Sequence, residues 1–247
     1  MTKIIAELCQ DHNGDRSILD EMVSAAAENG ANYAKIQSMH SSELTHRERF
    51  DHGLIEGGKV KIIKRPYKDE YERLKKLDLE FEDHSLFLSL CKKYNIIPCT
   101  TIFSLSKIQM ISDLKFETLK IASFDCASHR LIEEITKFDF KHIIVSTGAT
   151  YNREIKKTAS ILKKSKKKFT LLHCISIYPT PLKEGHLERI NYLKRLSSSV
   201  GLSDHSNPEI NNNILSAMSM TYEIDFIEKH FTILDKDKSK DGPVSVN

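Results

Sequence analysis

Short apolar runs recur along the chain, separated by longer stretches in which apolar positions return every three or four residues. The runs fall at Lys3 to Leu8, Tyr33 to Gln37, Ile96 to Thr101, Thr118 to Ala122, His142 to Ser146, Phe169 to His173, Val200 to Ser203 and Phe226 to His230. Their length and β-branched content predict strands. The helical period predicts helices over Ser17 to Asn29, Glu82 to Tyr94, Ser106 to Asp113, Arg130 to Lys137, Arg153 to Lys164, Leu187 to Leu196 and Pro208 to Thr221. In the first of these Ile18, Leu19, Met22, Ala25 and Ala26 make one face, and Gly30 supplies the stop. Repeated βα units imply right-handed crossovers and a parallel sheet covered on both faces, which explains strands as apolar as Ile143-Ile144-Val145. Eight of them close a barrel, so the expected fold class is α/β, a (β/α)8 TIM barrel forming one domain over residues 1–247.

Two departures from this rhythm carry information. From about 38 to 79 the chain is long, charged and rich in histidine and glycine, and it leaves the C-terminal end of a strand, where barrel active sites gather. A partial lid and a mobile loop are both open readings. After His230 only a polar tail follows, 232–247, without an amphipathic period. The barrel is therefore expected to lack its final helix, and to present an apolar groove that a partner or a second copy covers.

Composition narrows the class. With 40% hydrophobic and 29% charged residues the chain suits one globular domain, and a net charge of +3 is too small to mark a nucleic-acid binder. The densest lysine cluster, Lys163 to Lys168, closes a helix and lacks interleaved aromatic residues. Five cysteines, odd in number and without a C-x-x-C spacing, read as reduced thiols in a cytoplasmic protein. No apolar run approaches the roughly 20 residues of a membrane span, and Met1-Thr2-Lys3 leads directly into a strand.

Polar residues interrupt the apolar strands at their C-terminal ends, which in a barrel share one rim. Lys35 and Gln37, Thr100 and Thr101, Lys120 and Ser123, Ser146-Thr147-Gly148, and His173 with Ser176 all stand there. Two lysines among hydroxyls suit a small ligand carrying phosphate and carboxylate; the plainer reading pairs each lysine with an internal acid such as Glu7. His205 and His230 end neighbouring runs, with Asp204 and Glu228 close by. They suit a shared divalent ion, Mn2+ by its taste for mixed nitrogen and oxygen ligands, with Zn2+ as competitor, although a strand histidine is more often a satisfied core residue. His12 belongs either to an active-site loop or to an ordinary Asn13-Gly14 turn capped by Asp15. Tyr178-Pro179-Thr180-Pro181 reads as a rigid loop whose tyrosine also has the option of facing the substrate.

These residues resemble the sialic acid synthase family. The resemblance rests on Ala6 to Asp15 (AELCQDHNGD), Lys35-Ile36-Gln37, Tyr71 to Leu77 (YERLKKL), Lys120-Ile121-Ala122-Ser123, Ser146-Thr147-Gly148, Leu172-His173-Cys174, Tyr178 to Pro181, Ser203-Asp204-His205 and Glu228 to Phe231. It runs through nearly the whole chain in order. It implies condensation of phosphoenolpyruvate with an N-acetylated aldose, N-acetylmannosamine or a diacetamido sugar, to give a nonulosonic acid and phosphate. It further implies that Lys35, Thr101, Lys120, Ser123, Ser146 and Ser203 hold phosphoenolpyruvate, and that His205 and His230 ligate Mn2+ or Mg2+. The metal or an acid such as Glu228 would position water, and Gln37, Asp125, Tyr178 and Asp241 would face the sugar with Asn13 nearby. Ser176 stands where the family has asparagine or serine, and Phe124 where glycine is common. Family members continue into a small antifreeze-like domain that reaches across a dimer, so a homodimer or a separate C-terminal partner is expected.

Two rivals accompany this reading. One keeps the barrel and phosphoenolpyruvate but takes a phosphorylated aldose; it calls for arginines near the rim, and the strand ends contain none. The other is a weakly active barrel that needs a separate partner to complete its acceptor site.

Overall fold

The computed structural model describes residues 1–247, the side chain of Lys236 excepted. Ten strands are present: β1 (Lys3–Cys9), β2 (Tyr33–Ser38), β3 (Leu54–Glu56), β4 (Lys59–Ile62), β5 (Ile97–Ile102), β6 (Thr118–Ile121), β7 (His142–Ser146), β8 (Lys168–Cys174), β9 (Val200–Asp204) and β10 (Phe226–His230). Eight of them close a parallel barrel in the order β1-β10-β9-β8-β7-β6-β5-β2, while β3 and β4 form a separate hairpin. The expected barrel is therefore present, with strand ends within a residue or so of those the apolar runs predict.

Alternation along the strands builds two cores. Ile5, Tyr33, Cys99, Ile144, Leu172 and Phe226 point inward and fill the barrel as one apolar cluster. Their neighbours, among them Ala6, Ala34, Leu119, Ile143, Val145, Leu171 and Ile227, point outward into the larger cluster beneath the helices. Each fully buried Leu or Ile of that shell contributes about 1.5–3 kcal/mol by leaving water. Gly201 on β9 has no room for a side chain, since a Cβ would meet the Phe226 carbonyl oxygen at 2.3 Å.

The helices are α1 (Arg16–Glu28), α2 (Arg49–His52), α3 (Tyr67–Lys75), α4 (Phe81–Lys93), α5 (Ser106–Asp113), α6 (His129–Thr136), α7 (Asn152–Ser165), α8 (Arg189–Lys194), α9 (Pro208–Asn211) and α10 (Ile214–Ser219). Asp15 caps α1 by accepting from the N–H groups of Ser17 and Ile18. At its other end Gly30, with φ 82°, lets its own N–H and that of Ala31 reach the Ala27 and Ala26 carbonyls, which stops the helix as expected. The turn reading of His12 holds: its Nδ1 accepts from the Gly14 N–H at 3.0 Å, and the ring is buried under that turn.

Three segments depart from the sequence reading. The helix expected over Pro208 to Thr221 is broken in two, because Asn212 and Asn213 both take left-handed backbone, φ 46° and 54°. The excursion between β2 and β5 is not a bare loop. Gly57 and Gly58, φ 56° and 73°, make the tight turn of the β3-β4 hairpin, and α3 follows with Leu74 buried. The polar tail is also ordered: Val246 bridges Phe231 in parallel, and the Ser239 hydroxyl donates to Asp11 at 2.6 Å. Among the described residues no α-helix follows β10.

Buried neutral histidines give this fold an acid limit. Burial above all, aided for His142 by Lys168 and Lys3, lowers the pKa of His12 and His142 to about 4. Both protonate near pH 6.5 when unfolded, so between 6.5 and 4 the unfolded chain binds more protons and stability falls as pH drops. Urea titrations at pH 7 and 4.5 are expected to differ by up to about 5 kcal/mol, roughly half of it from each histidine, with a shallower pH dependence in His142→Gln; a flat profile would contradict the assignment.

Candidate active site

The register of the barrel stacks its polar side chains directly above the apolar plug. Glu7 on β1 lies opposite both Lys35 on β2 and His230 on β10, and Glu228 lies opposite Ser203 on β9. Since successive inward positions are two residues apart, Ile5, Glu7 and Cys9 climb one strand while Phe226, Glu228 and His230 climb its neighbour. A cavity opens there, lined by Glu7, Lys35, Thr101, Lys120, Ser146, Cys174, Ser203 and Glu228 at its floor.

The floor is a matched set of buried charges. Lys35 Nζ pairs with Glu7 and lies 3.6 Å from Glu228 Oε2, while Lys120 Nζ lies 3.4 Å from Glu228 Oε1. The plainer sequence reading was thus correct that internal acids partner these lysines. Lys35 also donates to Thr101 Oγ1 at 3.0 Å, and Ser203 donates to Glu228 at 2.7 Å. Burial pulls the Lys35 ammonium down to about 8, with Glu228 resisting and Lys120 assisting. For Glu228 burial acts upward, yet Lys120, Lys35 and the Ser203 hydroxyl outweigh it and hold the carboxyl at about 2. Glu228 is therefore a carboxylate at neutral pH, able to accept a proton and not to donate one.

Above β6 and β7 the wall is made of small donors. Ser146 Oγ is buried without a partner, an unspent hydrogen-bonding group facing the cavity. Gly148 donates its N–H to Ser123 Oγ at 3.0 Å, and a Cβ at Gly148 would strike Ser176 Oγ at 2.5 Å, so only glycine lets these hydroxyls close together.

The opposite wall carries the histidines. His205 and His230 have ring centroids 5.5 Å apart, edge to face. The Ile175 carbonyl can only accept, so the His205 Nδ1 at 3.0 Å carries the proton, and Nε2 takes the Tyr178 hydroxyl at 2.9 Å. Nε2 is thus the unprotonated nitrogen, and a cation would take the place of the Tyr178 hydroxyl on it. Tyr178 stacks on the same ring at 4.0 Å, and burial raises its phenol. Burial, then the neighbouring His205, lowers His230 to about 3, which keeps it neutral; its Nδ1 is buried and unpartnered. For His205 the downward pull of burial is outweighed by Cys174, the Ile175 carbonyl and Glu228, so its pKa is raised. The two imidazoles fit a divalent cation, one oriented by a carbonyl and the other presenting an orphan nitrogen.

Thirteen of the fifteen residues predicted from sequence line this one cavity: Lys35, Gln37, Thr101, Lys120, Ser123, Ser146, Ser176, Tyr178, Ser203, His205, Glu228, His230 and Asp241. Asn13 does not. It sits exposed in the turn after β1 with φ 50°, its N–H spent on Gln10. Asp125 is buried behind the wall, accepting from Ser128 at 2.9 Å, and it lies outside the lining too. Residues missed by the sequence reading come from the two irregular segments. Arg65, Glu70, Arg73 and Leu74 enter from the excursion and Lys240 from the tail. Glu7, which the sequence reading offers as a partner for the lysines, and Cys9 complete β1; the inward phase of Cys9 with Ile5 and Glu7 was the signal that could have found it.

A charged floor under eight converging strand ends, with small donors on one wall and imidazoles on the other, belongs to a barrel enzyme acting on an anionic substrate. The relatives agree. The N,N'-diacetyllegionaminic acid synthase of Campylobacter jejuni is 30% identical over 254 residues, covering 98% of this chain and 70% of that protein. The pseudaminic acid synthase of Helicobacter pylori is 27% identical over 247 residues, again covering 99% of this chain and 70% of the relative. The crystal structure of an N-acetylneuraminic acid synthetase from Leptospira borgpetersenii, in complex with citrate, superposes with a TM-score of 0.85 at 28% identity, covering 100% of this chain and 78% of that one. Residues 22–247 match the NeuB family, and the chain belongs to it. It is an enzyme of the condensing-synthase class.

If the floor binds an anion through Lys35, that binding is expected to depend on pH. Sulfate keeps its charge across the relevant range, so its affinity is expected to hold up to neutral pH and to fall as pH rises through about 8, where Lys35 loses its proton. Calorimetry on Lys35→Met should show weak binding without that step; an identical pH profile in the variant would assign the effect elsewhere.

Proposed function

We propose that this cavity condenses phosphoenolpyruvate with an N-acetylated aldose, giving a sialic-acid-like nonulosonic acid and phosphate. The observation that carries the reading is the pair of buried ammonium groups, Lys35 and Lys120, beside the unpartnered Ser146 hydroxyl, a floor made for phosphate and carboxylate. The names of the relatives supply the nine-carbon product class.

The chemistry assigns each group a task. Lys35 and Lys120 bind the phosphate, with Thr101, Ser123, Ser146 and Ser203 orienting the rest of the molecule so that its C3 faces the aldehyde carbon. His205 and His230 would hold a divalent cation, Mn2+ or Mg2+, which when bound would supply electrophilic polarisation of the aldehyde oxygen. The new bond from C3 leaves C2 electron-poor, and water adds there. Glu228 takes one proton from that water and passes it to the alkoxide left on the former aldehyde oxygen, while the water's second proton goes with the departing phosphate. The basicity of Glu228 rises when substrate phosphate draws Lys35 and Lys120 away, because those ammonium charges are what hold it near 2 in the free site. The tetrahedral carbon then expels phosphate, its departing charge met by the two lysines, and a 2-keto-3-deoxy acid remains. Gln37, Tyr178 and Ser176 face the acceptor.

A specific finding favours a second reading of the acceptor. Arg65, Arg73 and Lys240 stand at the mouth around one carboxylate, Glu70, at 3.9, 2.8 and 3.7 Å. Strand ends alone offer no arginine; the excursion brings two. An excess of cations there suits a phosphorylated aldose. The face of α9 and α10, where Ile210, Ile214 and Met218 are exposed, supports a second copy or partner domain packed beside the barrel.

Incubation with phosphoenolpyruvate, Mn2+ and a panel of aldoses, following phosphate release, separates these readings. Release is expected only with an N-acetylated amino sugar and is expected to stop with a chelator; release without metal would overturn the assignment. His205→Ala is expected to abolish turnover with the circular dichroism unchanged. Because a charge-assisted hydrogen bond contributes about 1.5–3 kcal/mol, Arg65→Gln should cost a phosphorylated acceptor roughly tenfold or more in kcat/KM. Equal loss with the unphosphorylated sugar would remove Arg65 from acceptor choice.

A further inference from the structure

Two features at the rim bear on which groups would join the histidines around a cation. His230 Nδ1 is buried with no hydrogen-bond partner, in a residue only 7% exposed, and the nearest carboxylate oxygen is Asp241 Oδ2 at 3.9 Å. Cys9, meanwhile, ends β1 in left-handed backbone, φ 51°, where the ladder to β2 slips between Glu7 and Cys9. Its N–H is held by the Glu7 carboxylate at 2.8 Å, and its side chain lines the cavity.

These residues meet at one point. Cys9 Sγ, a ring nitrogen of His230 and a carboxylate oxygen of Asp241 lie within 4.8 Å of one another, close enough for one ion to touch all three. They come from the first strand, the last strand and the tail, so no local turn or cap accounts for their convergence. The Cys9 thiol donates to Asp241 Oδ2 at 3.0 Å, and the Gln37 amide donates to Cys9 Sγ at 3.2 Å. The ring of His205 stands 5.5 Å from that of His230, on the same cavity.

We propose that Cys9 and Asp241 are ligands of the same divalent cation as His205 and His230, so that the centre is a mixed thiolate, carboxylate and imidazole site. The inference rests on the proposed function for the presence of a cation and extends it by naming the complete donor set. On binding, the Cys9 S–H bond breaks, its proton leaves to solvent and a sulfur–metal bond takes its place, with no change of oxidation state. A thiolate in the set favours Zn2+, Co2+ or Fe2+ over Mg2+, whose preferred ligands are all oxygen. Asp241, which the sequence assigned to the sugar, belongs on this reading to the ion.

Cobalt reports sulfur ligation directly and needs no substrate. Titration of chelator-stripped full-length protein with Co2+ is expected to produce a near-ultraviolet sulfur-to-cobalt charge-transfer band that saturates at one equivalent. Cys9→Ser should lose the band while retaining the fold by circular dichroism, and Asp241→Asn should keep the band but bind more weakly. Cys174 is the control, because its sulfur lies 3.8 Å from His205 Nδ1: Cys174→Ser should leave the band in place. No band in the wild-type protein, or one that survives Cys9→Ser and vanishes in Cys174→Ser, overturns the proposal. Failure of the synthase reading is seen separately, in phosphate release, and leaves the cobalt spectrum unaffected.

Discussion

The structure depends on compensation among four charges sealed inside the barrel, Lys35 and Lys120 against Glu7 and Glu228. Taking an ammonium or a carboxylate out of water costs several kcal/mol, and pairing recovers that cost without a surplus. An apolar layer in the same place would serve stability as well or better. The charges are thus a burden that the buried plug beneath them, Ile5, Tyr33, Cys99, Ile144, Leu172 and Phe226, must help to carry. They also set the terms on which a ligand enters. On the proposed function, an incoming phosphate would not meet bare cations; it would compete with carboxylates already in place.

How much of this was legible in the sequence follows from how local each signal is. Parallel strands buried on both faces are written as unbroken apolar runs, so β7 and β10 could be placed to the residue. A helix whose face is broken by two adjacent asparagines still shows an apolar period, and only the backbone of Asn212 and Asn213 reveals the break. The hairpin was legible in principle from Gly57-Gly58, but its flanking strands are exposed and too short to show alternation. Among site residues, those at strand ends were found because a barrel gathers strand ends. Asn13 and Asp125 were carried over on resemblance alone, and the turn and the packing behind β6 take them out of the cavity. Arg65, Arg73 and Lys240 could not be placed, because long irregular segments carry no period from which a direction can be read.

Those segments change the character of the mouth. The excursion and the tail meet across it where Lys240 approaches Glu70 at 3.7 Å, so this side of the mouth is built from parts that are distant in sequence. The floor, in contrast, is held by the hydrogen-bonded ladder itself. Conserving the chemistry while altering the acceptor would therefore call for changes in the excursion and tail, with β2, β6 and β10 left alone.

One consequence follows from the way the barrel closes. The first strand pairs with the last, and Cys9 finds Asp241 across a separation of 232 residues. During translation β1 emerges early and waits with one edge bare until β10 leaves the ribosome, a long interval in which that edge invites mispairing. A nascent chain can hold its helices and most of its sheet and still lack a complete mouth, because the residues that meet there lie 232 positions apart in the chain.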